Sequence, residues 1–168
     1  MMASNYSLND FFKMYSRYGH NYFHHVCCWG NYKLLCVARP FIDLSNSHLL
    51  EDVDYQGMSC IHLAVICNPK NAREILQVLI SWGVNINRQD EVTGESILHL
   101  AIKFHHLKLT KWIIKYSGIN LNIRNYNDES PYELAYKLKN YYVMWLLRKN
   151  GAICEYRLTS SEESSSED

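Results

Sequence analysis

Proline and glycine are scarce, at three and seven in 168 residues. That excludes a Pro/Gly-rich low-complexity chain and favours helices over a loop-rich or all-β fold. There is no excess of charge of one sign either. Seventeen basic residues meet seventeen acids, and the last eleven positions, Leu158 to Asp168, hold four acids and no base. The remainder, at +4, is too weakly basic to be a nucleic-acid footprint, so no nucleic acid is expected as a partner. Long apolar runs are also missing. The longest stretches free of charge, Tyr18 to Tyr32 and Tyr55 to Pro69, are 15 residues each and broken by His, Asn and Gly, too short and too polar to span a bilayer. Met1 to Asp10 lacks the basic-then-apolar pattern of an export signal, so an intracellular chain is expected. The six cysteines (Cys27, Cys28, Cys36, Cys60, Cys67, Cys154) include no C-x-x-C pair and read as thiols of a reducing compartment. No G-x-x-x-x-G-K-[ST], G-x-S-x-G or H-E-x-x-H occurs. With no catalytic constellation, the reading is a binding protein without a cofactor.

What is there is repetition. Gly57-Met58-Ser59-Cys60-Ile61-His62-Leu63-Ala64 returns as Gly94-Glu95-Ser96-Ile97-Leu98-His99-Leu100-Ala101 and as Asp128-Glu129-Ser130-Pro131-Tyr132-Glu133-Leu134-Ala135. A weaker copy lies at Gly19-His20-Asn21-Tyr22-Phe23-His24. In the same phase, Gly83, Gly118 and Gly151 each follow an apolar stretch, and Asn-rich segments follow the first two. Two independent markers with one period identify a repeat architecture.

The physical reading follows from the residue types. Ser or Asn stands where a helix needs a cap for its free N–H groups, and Pro131 takes the first-turn position that tolerates it. A short helix with Leu and Ala inward precedes a turn and a second, more apolar helix, which glycine ends in the left-handed conformation. Neither helix can bury its face alone, so the units must stack. The expected fold is an all-α solenoid of about four helix pairs over residues 19–154. The units are 19–53 (degenerate, its second helix cut short at Pro40), 54–89, 90–124 and 125–154. Ser7, Leu8, Phe11, Phe12, Tyr15 and Tyr18 read as an N-terminal capping helix over 1–18, ending at Gly19. The acidic segment 155–168 reads as disordered. Thr159, Ser160, Ser164 and Ser165 there each have an acid three residues on, either an acid-directed phosphorylation pattern or a solubilising tail.

These marks resemble the ankyrin repeat, whose T-P-L-H-x-A signature has a period near 33. A narrower resemblance lies in the finger Asp90-Glu91-Val92-Thr93-Gly94, one residue longer than usual, followed by Ser130-Pro131-Tyr132-Glu133-Leu134 in the next unit. Both are similar to the C-terminal repeats of IκB inhibitors. A chain of this size with about four repeats is similar to the vankyrins, truncated IκB-like proteins of polydnaviruses. The resemblance implies Rel-homology transcription factor dimers of the NF-κB class as partner, and inhibition of their nuclear import and DNA binding in host cytoplasm or nucleus. It also implies a structural histidine that ties neighbouring loops together. Asp43-Leu44-Ser45-Asn46-Ser47 does not match the phosphodegron of cellular IκB proteins, so the inhibitor would be insensitive to signal. The other reading is a generic ankyrin adaptor for another protein.

In such a stack Leu63, Ala64, Leu100, Ala101, Leu134 and Leu146 belong to the core. The residues expected to be free for a partner are Tyr55, Gln56, Glu91, Val92, Glu95, Tyr126, Asn127 and Glu129 on the fingers. Tyr55 and Tyr126 sit where the repeat needs no aromatic, so they are either contact residues or packing between fingers. His24 and His25 lie near Cys27, Cys28 and Cys36, but the repeat phase accounts for His24 and no bound metal is expected.

Overall fold

The computed structural model describes residues 8–154, so the acidic segment and the first seven residues lie outside the described part. Helix α1 (Leu8–Phe12) precedes four helix pairs. These are α2 (Tyr22–Trp29) with α3 (Tyr32–Ala38), α4 (Cys60–Cys67) with α5 (Ala72–Ser81), α6 (Ile97–Lys103) with α7 (Leu107–Ile114), and α8 (Pro131–Lys137) with α9 (Tyr141–Lys149). The first helices of the pairs stack as α2, α4, α6, α8, and the second as α3, α5, α7, α9. Among the described residues the only strand-like pairing is two isolated bridges at finger bases, Val53 with Ser59 and Gln89 with Ser96. The stacked ankyrin solenoid read from the repeat is therefore the fold.

Each inner helix starts at its expected cap, at Asn21, Ser59, Ser96 and Ser130. Each cap is a reciprocal box: the cap side chain faces the third helical residue's N–H, and that residue's side chain returns to the cap N–H. The helices are short and survive by burial between neighbours. Leu98, Ala101, Ala64, Leu76 and Leu79 are fully buried. Gly83, Gly118 and Gly151 close the outer helices with φ near +90°.

The N-terminal helix is shorter than the sequence pattern suggests. It ends at Phe12, whose ring is buried against Tyr22 (5.1 Å) and Phe23 (5.5 Å). Tyr15 and Tyr18 are exposed and lie beyond the helix. Residues 16–20 form a closed turn instead, with Ser16 N–H bonded to the His20 carbonyl and Gly19 N–H to the Ser16 carbonyl. That turn is the finger of the first unit. Pro40 ends α3 as expected, in a 3-10 turn over Arg39–Phe41. The irregular stretch after it is anchored by Leu49 and Leu50, both buried, and by the Asn21 amide donating to the Leu49 carbonyl (2.7 Å).

Candidate partner-binding face

All four fingers are built on one device. A short polar side chain at the finger base folds back to accept the N–H groups two and four positions on, an Asx-type turn. Asp54 Oδ1 accepts from Gln56 and Met58 (2.8 and 2.9 Å), and Asn125 Oδ1 from Asn127 and Glu129 (3.0 and 2.9 Å). Ser16 Oγ does the same for Tyr18 and His20. In the longer finger, Asp90 uses both oxygens, toward Val92, Thr93 and Glu95. Burial pushes the Asp90 carboxyl up, but the Thr93 hydroxyl and these N–H groups outweigh it and hold it below its usual range.

Successive fingers are tied by histidine. Ser59 and Ser96 N–H groups donate to Nδ1 of His62 and His99 (3.3 and 3.2 Å). Nε2 then carries the proton and donates onward, from His62 to the Arg88 carbonyl (3.1 Å) and from His99 to the Glu129 carbonyl (3.0 Å). His24 Nε2 reaches the Met58 carbonyl at 3.2 Å. Met58 and Glu129 occupy matching places after the finger turn. The acceptor for His62 lies instead on the other limb of the 90–94 finger, at Arg88, before the turn. Burial lowers the pKa of all three rings, that of His62 to about 4.

Fingertips also touch one another through their glycines. A Cβ on Gly19 would stand 2.9 Å from the Tyr55 ring, and one on Gly94 would stand 2.5 Å from the Tyr126 ring. On Gly57 it would meet Val92 Cγ2 at 3.0 Å. Tyr55 N–H donates to the Tyr18 carbonyl and Tyr126 N–H to the Thr93 carbonyl. Each ring therefore leans one side on the preceding finger. Both remain open to solvent, Tyr55 at 80 % and Tyr126 at 67 %, with Val92 between them at 63 %. The two alternatives at the sequence level, packing and contact, are thus compatible on the same side chains.

Gln56, Glu91 and Asn127 are exposed beside that ridge. Two acids expected with them are not free. Glu95 is only 6 % exposed and receives Lys103 Nζ at 2.8 and 3.0 Å. The finger turn directs its side chain onto α6, so Glu95 is corrected from a contact residue to an internal ion pair. Glu129 is partly buried, with Lys137 Nζ at 2.8 Å and the Asn125 amide at 3.2 Å. Burial raises the Glu129 carboxyl, but Lys137 and Asn125 overcome that and lower it. Glu133 is held by both guanidinium nitrogens of Arg124 (2.9 and 3.1 Å).

Two further exposed apolar groups, at the C-terminal ends of inner helices, were missed from the sequence. Trp29 ends α2 with 66 % of its surface open, and Phe104 caps α6, also exposed. The signal was available: both stand at the matching place, two residues beyond the last core position of an inner helix. Among the described residues no group of three metal-ligating side chains comes together, and no helix is long and apolar enough to cross a membrane.

Repeated capped helix pairs joined by Asx-turn fingers define an ankyrin-repeat protein, and the family pattern "Ankyrin repeats (3 copies)" matches residues 61–157. I-Kappa-B like protein C1 of Microplitis demolitor bracovirus (isolate Webb) is 34 % identical over 135 residues, covering 80 % of this chain and 77 % of its own. I-Kappa-B like protein G1 of the same virus is 32 % identical over 160 residues, with 94 % and 90 % covered. The chain belongs to this family of ankyrin-repeat I-kappa-B-like proteins. The ankyrin repeat domain of Bcl-3, described as a unique member of the IkappaB protein family, superposes with a TM-score of 0.73 at 23 % identity over 82 % of this chain. This chain spans 58 % of that domain.

Proposed function

We propose that the chain inhibits Rel-homology transcription factors of the NF-κB class in a host cell, in cytoplasm or nucleus. It acts by binding, not catalysis. A Rel dimer held against the fingers and the inner-helix face would be kept from nuclear import and from DNA. Asp43 to Ser47 departs from the phosphodegron pattern, so the complex would persist after signalling. The names of the relatives support the class of partner. The observation that carries the reading is the fingertip ridge of Tyr55, Val92 and Tyr126, which is apolar, preorganised by its glycines and left open. Rigid aromatics on a fixed scaffold are the usual sites of binding energy.

Changing Tyr55 and Tyr126 to Ala tests this. Rel binding should weaken by roughly 1–3 kcal/mol in total, read by titration calorimetry. Unfolding should shift by under about 1 kcal/mol, because most of each ring is already in water. A double variant that unfolds early and binds normally per folded molecule would place the contact elsewhere. If the unaltered chain binds no Rel dimer even at low salt, the adaptor reading replaces this one.

A further inference from the structure

We propose that Cys28 and Cys67 form an oxidation site, at which a peroxide converts two thiols into a disulfide linking α2 to α4. Their sulfurs are 3.1 Å apart, although 39 positions separate them. Cys28 is the penultimate residue of α2 and Cys67 the last of α4, two helices packed side by side. The backbones around them are fastened together. The Asn68 amide donates to the Trp29 carbonyl (3.3 Å) and the Asn71 amide to the Gly30 carbonyl (2.9 Å). Gly30 permits this approach, since a Cβ there would lie 2.2 Å from the Asn68 amide nitrogen. Closing to a bond of about 2.05 Å needs the sulfurs to move by roughly 1 Å, within reach of a side-chain rotation at exposed Cys67.

The same interface holds a built-in comparison. Cys27 and Cys60 are fully buried, and Cys60 donates to the Leu50 carbonyl (3.3 Å). They have no path to a reagent in solution. Cys67 is exposed and Cys28 half-buried, so the oxidant meets Cys67 first. The Cys67 sulfur attacks one peroxide oxygen and breaks the O–O bond, giving a sulfenic acid and one water. The Cys28 sulfur then attacks the Cys67 sulfur and displaces the hydroxyl, which leaves as water with the Cys28 proton. Two thiols lose two electrons and the peroxide gains them. Burial, then the contact with Cys67, pushes the Cys28 thiol up to about 12, so the second step relies on proximity rather than on a ready thiolate and is slow. The bond would staple the degenerate first unit to the second across the irregular 41–53 stretch, which limits the unfolded chain more than the folded one.

The test uses the full chain, treated with hydrogen peroxide, alkylated and digested without reductant. Mass spectrometry should find a Cys28–Cys67 cross-linked peptide, with Cys27 and Cys60 alkylated only after unfolding. The melting temperature should rise by roughly 5–10 °C and return on addition of dithiothreitol. Cys67→Ser, and separately Cys28→Ser, should abolish both the peptide and the rise. Should peroxide leave both thiols free, carry Cys67 on to sulfinic acid, or join Cys67 between two chains, the proposal is wrong.

Discussion

A neutral imidazole is what the stack requires at positions 24, 62 and 99. Nδ1 of His62 and His99 must accept from the cap N–H while Nε2 donates to the next finger. A second proton would set two donors face to face inside a buried site. The consequence for stability has a definite sign. The folded pKa lies below the ordinary value of about 6.5, so the unfolded chain takes up protons first as pH falls. The stabilisation is fully present above about pH 6.5 and is lost as pH falls toward about 4, the value for His62. Thermal melts between pH 7.5 and 4.5 should show a falling midpoint before the carboxylates titrate, and a flat profile would contradict the assignment. Replacing His99 by Ala leaves the Glu129 carbonyl and the Ser96 N–H without their partner. A loss of about 2–4 kcal/mol is expected in denaturant unfolding. Gly94→Ala tests the fingertip contact. The left-handed φ of +68° and the Tyr126 ring both oppose a Cβ, so about 1–2 kcal/mol should be lost. Part of that should be recovered when Tyr126 is also changed to Ala, which a double-mutant cycle detects.

At the scale of the element, the finger turn recurs in all four units and a left-handed turn between paired helices in three of them. The inner-to-outer turn takes a left-handed residue at Gly30, His105 and Lys139. Only the first is glycine, so Lys139→Gly should relieve backbone strain and stabilise by up to about 1 kcal/mol, measured by the same unfolding curves. Much of this scale was legible beforehand because capping chemistry leaves a sequence mark. Ser59, Ser96 and Ser130 with a polar residue three places on could be read directly as helix starts, and glycine at 83, 118 and 151 as helix ends. The N-terminal helix was misread for a physical reason. Phe11, Phe12, Tyr15 and Tyr18 have helical spacing, but Ser16 captures the Tyr18 and His20 N–H groups into a finger, and side-chain capture of that kind competes with helix. Glu95 was misplaced because the extra residue before Gly94 hides which way the next side chain turns. Lys103, eight residues further on, is what claims it. Nothing in one linear sequence announces that pairing.

Charge is sorted across the whole molecule. The finger side from Glu51 onward is acidic, and its bases are already engaged: Arg88 with Glu51 (2.6 Å), Lys103 with Glu95, Arg124 with Glu133 and Lys137 with Glu129. The outer helices α7 and α9 carry Lys108, Lys111, Arg148 and Lys149, and Lys115 directly follows α7; the ion pairs among the described residues involve none of them. Two of these cations lie over rings instead, Lys111 on Tyr142 (4.7 Å) and Lys149 on Trp145 (5.0 Å). Fingers of this charge suit a basic surface on the proposed partner, because opposite charge speeds docking and fixes orientation. The association rate should therefore fall as salt is raised, while the apolar ridge keeps the complex together. The proposed role of this ridge is to hold a Rel dimer in place of DNA. Its most direct test is to titrate the purified chain into a preformed Rel–DNA complex carrying a fluorescent duplex, and to follow the anisotropy. The DNA should be released as the chain saturates the dimer, with Tyr55→Ala and Tyr126→Ala together shifting the curve to higher concentration. Anisotropy that stays unchanged at low salt, with no binding to the dimer, would contradict it.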